Sequence, residues 1–265
     1  MTTIVLMYLV MGAFIGVIAG LLGIGGGLVL VPLLAFAFAS QGVPYESIMH
    51  LALGTSMASI VFTAFSSFMS HHRRGAVRWD IVWSIVPGTL IGTFLGSCVA
   101  SKMSTAFLSV LFVCFLYYVA IQMLLDRKPK PSRQIPGRLG MSGVGAFIGV
   151  VSSFVGIGGG ALSVPFMAWS NVPMHHAIGT SAAIGFPIAI AGTLGYVLSG
   201  LRASDLPAYC FGYVYLPALV GLVCASVLTA PVGVWLAHRL PVKILKQVFA
   251  VVLAIMGTRV LIGLI

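Results

Sequence analysis

Apolar positions in this chain run in long uncharged tracts rather than alternating or keeping to one helical face, and short polar or basic stretches separate the tracts. A helix needs roughly 20 apolar residues to cross a hydrocarbon core about 30 Å thick, so the pattern predicts an all-α polytopic membrane protein with about eight transmembrane segments. They fall at 2–39, 47–70, 80–100 and 105–125, then at 139–170, 176–200, 206–237 and 242–265. The first and fifth exceed one span, and glycine clusters break both: Gly23-Ile24-Gly25-Gly26-Gly27 and Gly156-Ile157-Gly158-Gly159-Gly160.

The two broken tracts are copies. GAFIGVIAGLLGIGGGLVLVPLL (12–34) and GAFIGVVSSFVGIGGGALSVPFM (145–167) align without gaps and share their opening residues, the glycine cluster and a Val-Pro pair. The match continues beyond them, with LALGTS (51–56) beside HAIGTS (176–181) and Asp80 opposite Asp205. Two homologous halves follow, 1–125 and 139–265, joined by the basic, proline-containing linker DRKPKPSRQIPGR at 126–138. Each half opens with its glycine-broken helix. If that tract crosses once, the halves are parallel; if it turns back as a reentrant arm, parity inverts the second half. The distribution of Arg and Lys favours inversion on the positive-inside rule, and leaves the choice open.

Composition agrees with the tracts. Apolar residues make up 60% of the chain and charged ones 7%, and the mean hydropathy is +1.13, far from a soluble domain. The net charge of +10 resides in connections such as HHRRGAVR (71–78) and the linker. It reads as a cytoplasmic face of a multi-pass inner-membrane protein rather than a nucleic-acid surface. The opening tract has no basic n-region and recurs in mid-chain, so no cleaved targeting segment is expected. Cys98, Cys114, Cys210 and Cys224 lie in apolar tracts without metal or disulfide spacing and are expected in the core. Glycines at every fourth position, Gly88, Gly92 and Gly96, with Gly12, Gly16, Gly145 and Gly149, predict close helix packing.

Candidate chemistry is defined first by what is missing. The four carboxylates, Glu46, Asp80, Asp126 and Asp205, stand at segment ends or in loops, so neither a buried cation relay nor carboxylate-based acid–base chemistry is expected. No metal-binding, cofactor-binding or nucleophile–base set is legible, and Gly156-x-Gly158-x-x-Ala161 lacks the strand and acid of a dinucleotide site. The expectation is a protein that is not an enzyme and carries no cofactor. Three glycines in succession exceed what packing requires; they let a helix stop and restart inside the bilayer. A helix that starts there offers free N–H groups and the positive end of its dipole to an anion, and paired glycine-interrupted segments are the best pointer to a transporter's site. The candidate site therefore comprises Gly25, Gly26, Gly27, Gly158, Gly159 and Gly160.

The Gly-Thr-Ser copies add the hydroxyls of Thr55, Ser56, Thr180 and Ser181, for which ligand contact and local helix bonding weigh equally. His50, His175 and His176 are candidates for an anionic oxygen or a coupled proton, against an interfacial role in a loop. Trp169 is read either as closing over a substrate with an aromatic part or as an interfacial anchor.

GIGGG, a following arm with Val-Pro and then a Gly-Thr-Ser segment, all occurring twice, resemble the sulfite exporter TauE/SafE family. The resemblance covers essentially the whole chain. It implies a membrane transporter of sulfur-containing anions, among them sulfite, sulfoacetate and other organosulfonates, and it points to the two GIGGG tips and the two Gly-Thr-Ser segments as they stand here. A sulfonate spreads one charge over three oxygens, which suits N–H and hydroxyl donors at two helix ends. The expected activity is secondary transport of a small anion, with a coupled proton or other ion open. An anion channel with a glycine-lined filter is the alternative, ahead of an enzyme or scaffold.

Overall fold

The computed structural model describes residues 2–22, 26–125, 135–203, 206–237 and 242–263. Ten helices and one two-stranded hairpin are formed by these residues. In chain order the first five are α1 (Thr2–Leu22), α2 (Gly27–Ser40), α3 (Tyr45–Arg73), α4 (Trp79–Ala100) and α5 (Thr105–Leu125). They are followed by α6 (Arg138–Val155), α7 (Gly160–Trp169) and α8 (Met174–Gly200), then β1 (Cys210–Phe211) and β2 (Val214–Tyr215), and finally α9 (Leu216–Ala237) and α10 (Val242–Ile262). Among the described residues, α3, α4, α5, α6 and α8 are long and apolar enough to cross a membrane. In α1, α9 and α10 the apolar stretches are shorter: Val5–Ile18, Leu216–Thr229 and Gln247–Ile262.

Glycines set the closest helix contacts, because removing Cβ lets two backbones approach. On α4, Gly88 lies against Ser142 and Ala146, Gly92 against Ala146, and Gly96 against Val150 and Ser153, so α4 and α6 run side by side in the same direction. A Cβ on Gly92 would stand 2.8 Å from the Ala146 Cα. The pair α1 and α9 is built likewise: Gly221 meets Tyr8, Gly12 meets Leu222 and Ala225, and Gly16 meets Ser226 and Thr229, again in parallel.

The two longest helices cross the centre antiparallel. Gly54 of α3 faces Tyr196 of α8, Met57 faces Gly192, and the Phe65 and Phe68 rings meet Phe186. Helix α4 runs with α8, since the Arg78 amide bonds Thr180 at one end and Ser97 meets Gly195 at the other. Helix α9 runs with α3: Tyr215, just before α9, bonds Thr55, and Leu219 packs on the cluster that includes Ala58. Thus α1, α3 and α9 point one way, and α4, α6 and α8 the other.

Each glycine-broken tract turns back. Helix α7 is antiparallel to α8, with Gly158 beside Gly185, Gly159 beside Ile188 and Ser163 beside Ser181, and is therefore opposed to α6. Helix α2 is antiparallel to α3, with Gly27 by Ile60, and with Val31 and Leu53 meeting on Gly156. It is opposed to α1.

Two expectations need correction. The segment at 206–237 is not one long helix: the hairpin occupies its start, with Tyr209 at φ 67° and Gly212 at φ 56°, and its Tyr213 amide donates to the Tyr196 carbonyl at 3.3 Å. Aromatic residues at alternate positions (209, 211, 213, 215) favour strand over helix there, whatever the hydropathy. The cysteines are not core residues either. Cys114 and Cys224 are exposed on outward faces, and Cys98 and Cys210 are half-buried. On a surface solvated by lipid tails, an apolar thiol gains nothing by facing inward. Trp83, Leu139 and Leu228, at 70%, 91% and 77% exposure, mark the same outward surface. The linker at 126–138 lies outside the described residues as far as 134, and so does Asp205.

Candidate functional site

The site begins with two backbone reversals. Gly26 has φ 54° and Gly159 φ 75°, a left-handed conformation that costs a residue with Cβ about 1–2 kcal/mol. Each is the N-cap of its arm, without a side-chain cap. The Gly26 carbonyl accepts from the Val29 and Leu30 amides at 3.1 and 3.0 Å, and the Gly159 carbonyl from Leu162 and Ser163 at 3.1 and 2.9 Å. Those bonds leave the first-turn N–H groups of Gly27 and Leu28, and of Gly160 and Ala161, without partners among the described residues. Two helix N-termini with unpaired donors are what an anion needs.

The tips meet. A Cβ on Gly27 would lie 2.8 Å from the Gly156 carbonyl oxygen and 3.3 Å from the Ile157 Cα. Both tips sit between the central helices, alongside Leu53–Ile60 of α3 and Gly185 and Ile188 of α8, well inside either helix. The buried Ser56 hydroxyl ties the junction by donating to the Gly156 carbonyl at 2.8 Å. Ser181 reaches the second arm, its hydroxyl 2.7 Å from that of Ser163. Gly25 lies outside the described residues.

Thr55 and Thr180 are buried and face away from this junction. The Thr55 oxygen accepts from the Tyr215 amide at 3.0 Å and the Thr180 oxygen from the Arg78 amide at 2.9 Å. Each fixes the chain that enters the next helix, so Thr and Ser of one motif do different jobs. His50 is buried in the second turn of α3, one turn before Leu53. Its Nδ1 lies 2.9 Å from the Glu46 carbonyl and its Nε2 3.0 Å from that of Met103, with the ring stacked on Tyr213. A neutral imidazole can donate to one of those carbonyls; the imidazolium donates to both. His175 is exposed and His176 half-buried in the first turn of α8; the His176 Nδ1 lies 3.1 Å from the Ala76 carbonyl. Trp169 ends α7, about 14 Å from the tip at 1.5 Å per residue. The structure thus brings together the glycines, Ser56 and Ser181, and sets the histidines and Trp169 apart from them.

One hydroxyl at the junction was not singled out in the sequence. Ser152, in the last turn of α6, is fully buried, and its Oγ has no hydrogen-bond partner among the described residues. It lies 3.5 Å from where a Cβ on Gly159 would stand. Its one visible signal was that SS (152–153) replaces the AG (19–20) of the first copy. A groove stands elsewhere, an apolar trough of about 350 Å³ lined by Val5, Leu9, Tyr209, Leu216 and Val220 on the outer face of α1 and α9.

Buried helices crossing in opposite directions, with two reentrant arms whose uncapped starts both lie against Ile60 between them, define a polytopic membrane protein of the transporter class. The chain belongs to the sulfite exporter TauE/SafE family, whose profile matches residues 8–260. It is 35% identical over 259 residues to a probable membrane transporter protein of Haemophilus influenzae, covering 97% of this chain and 98% of that one. It is 29% identical over 253 residues to the probable membrane transporter protein YdhB of Bacillus subtilis, covering 92% and 94%. A third relative, from Methanocaldococcus jannaschii, is also a probable membrane transporter protein, 24% identical over 258 residues, covering 94% and 92%. No solved structure matches the chain.

Proposed function

We propose that this protein is a secondary transporter of the inner membrane that moves a sulfur-containing oxyanion, sulfite or an organosulfonate such as sulfoacetate or an aromatic sulfonate. The anion binds between two halves, 1–125 and 139–265, which are copies of one unit in opposite orientation joined by the linker 126–138. The opposed directions of α1 and α6, of α3 and α8, and of α4 and α9 support the inversion. The observation that carries the reading is the convergence on Ile60 of α3 of two uncapped arms, Gly27 at the start of α2 and the Gly158–Gly160 turn that starts α7, deep between α3 and α8. Unpaired amides and the positive dipole ends attract an anion there. Glu46 and Asp80 stand in the first turns of α3 and α4, away from the junction. Rocking of one half on the other would expose the tips to each side in turn.

The test is binding followed by transport. Purified protein is melted with sulfite, sulfoacetate, taurine, benzenesulfonate, sulfate and the carboxylate analogues; a ligand of the folded state raises the apparent Tm by linkage. Sulfonates and sulfite should raise it and carboxylates should not. In proteoliposomes the same anions should show saturable uptake and counterflow, and an imposed pH gradient tests coupling to a proton. Non-saturating flux without counterflow would assign a channel. No shift and no uptake with any sulfur anion would reject the substrate class.

A further inference from the structure

The two tips share a left-handed glycine, Gly26 and Gly159, but not a set of side chains. Around the second, Ser152, Ser163 and Ser181 converge; at the aligned positions of the first copy stand Ala19, Leu30 and Ser56. Ser56 is already committed, donating to the Gly156 carbonyl. We infer that the oxyanion head group is held at the second tip, on the N-terminus of α7, with the Ser152 hydroxyl as its selective donor. The inference rests on the transporter reading above and adds which tip binds and through which side chain.

Hydrogen-bonding capacity goes unmet at the second tip. Ser152 is fully buried and its Oγ is unpartnered, in a protein where neighbouring hydroxyls find carbonyls within their own helix: Ser153 donates to Val150 at 2.7 Å and Ser97 to Phe94 at 2.8 Å. Leaving a buried donor unpaired is costly, and such a group calls for a reason. Its surroundings supply one. The Ser152 Oγ lies 3.5 Å from the Cβ position of Gly159, whose arm begins with the unpaired Gly160 and Ala161 amides. The Ser163 hydroxyl of this arm lies 2.7 Å from that of Ser181 on α8; one proton is used between them, and the other has no acceptor among the described residues.

Among the described residues the second tip thus keeps four unpaired donors, the Ser152 hydroxyl, one hydroxyl of the Ser163–Ser181 pair and the Gly160 and Ala161 amides, for an ion with several acceptor oxygens. Ile148 and Ile188 close over Gly159, the Ile188 Cδ1 2.6 Å from its Cβ position. The head group therefore enters only when these side chains move, which couples binding to motion of α8 against α6. At the first tip the aligned hydroxyl, that of Ser56, is already given to the Gly156 carbonyl. That tip offers the apolar Leu30 and Ile60, suited to the rest of an organosulfonate.

The experiment measures binding of methanesulfonate and sulfite to the purified full-length protein, with the apparent Tm of the ligand-free protein recorded in parallel. In Ser152→Ala the Kd for both ions should rise at least fivefold while the ligand-free Tm stays level or rises, since the variant loses an unpaired buried group. Ser152→Cys, of similar volume and a weaker donor, should also weaken binding. Ser153→Ala, which removes the adjacent but satisfied hydroxyl, should leave Kd unchanged. A merely structural Ser152 would give lower Tm and unaltered Kd. Wild-type affinity in both Ser152 variants overturns the inference while the transporter reading stands. Absence of any binding to the wild-type protein overturns both.

Discussion

The two glycine tips are a controlled comparison within one molecule. Gly26 and Gly159 take the same left-handed turn, cap the same kind of arm and leave the same first-turn amides without partners among the described residues. What surrounds them differs. The first tip is pressed by Gly27 onto the Gly156 carbonyl with Ile60 beside it, whereas the second carries the hydroxyls of Ser152, Ser163 and Ser181. A repeated backbone device can therefore supply electrostatic attraction twice, while side chains decide at which copy a polar head group is best satisfied. Glycine sets the geometry; serine sets the chemistry.

The largest effect is expected from making the second tip resemble the first. Ser163→Leu should reduce sulfonate uptake in proteoliposomes by two orders of magnitude or more, on the order of 3 kcal/mol, by filling the arm and stranding Ser181. The reciprocal Leu30→Ser should leave uptake within about threefold of wild type. The opposite ranking would mean that the first tip binds.

Next come the threonines, which the comparison treats as equivalent. Thr55→Val and Thr180→Val each strip the acceptor from a buried or half-buried amide, of Tyr215 and of Arg78. Each should lower stability by about 1–3 kcal/mol, read as a lower ligand-free Tm. A loss in only one of them would break the equivalence of the two motifs.

A smaller and separable effect is backbone strain. Gly42→Ala, at φ 75° with open space around it, should cost about 1 kcal/mol from conformation alone. Gly159→Ala adds a clash with the Ile188 Cδ1 at 2.6 Å, and should lose more stability than Gly42→Ala and also lose uptake. Equal effects would mean that Ile188 yields freely. Least of all, Cys114→Ser on the outer face should change Tm and uptake little, within about 0.5 kcal/mol.

Much of the fold was legible in the chain because membrane solvation imposes long apolar helices on it. The bounds of α4 and α5 fall within a residue of the hydropathy tracts, and the glycine stripe Gly88, Gly92 and Gly96 packs against α6 as its spacing implied. The hairpin at Cys210–Tyr215 was hidden because hydropathy cannot distinguish an apolar strand from an apolar helix. Within the candidate site, glycines announced themselves by repetition. Ser152 did not, since its meaning lies in a bond it fails to make, and that is a property of packing rather than of sequence.

By itself, the sequence determined the solvent of this protein, the approximate limits of apolar segments such as α4 and α5, the likeness of two stretches of chain and the absence of carboxylates from the interiors of those segments. Each follows from the cost of polar groups in hydrocarbon, or from direct comparison of two stretches of chain. Only the tertiary structure decided whether the broken tracts pass through or turn back, because both paths bury the same residues with the same hydropathy. Direction emerges only from which glycine meets which neighbour. The same holds for the hydroxyls of Thr55 and Ser56: adjacent on one helix, they point about 100° apart, so one secures the hairpin and the other the meeting of the tips.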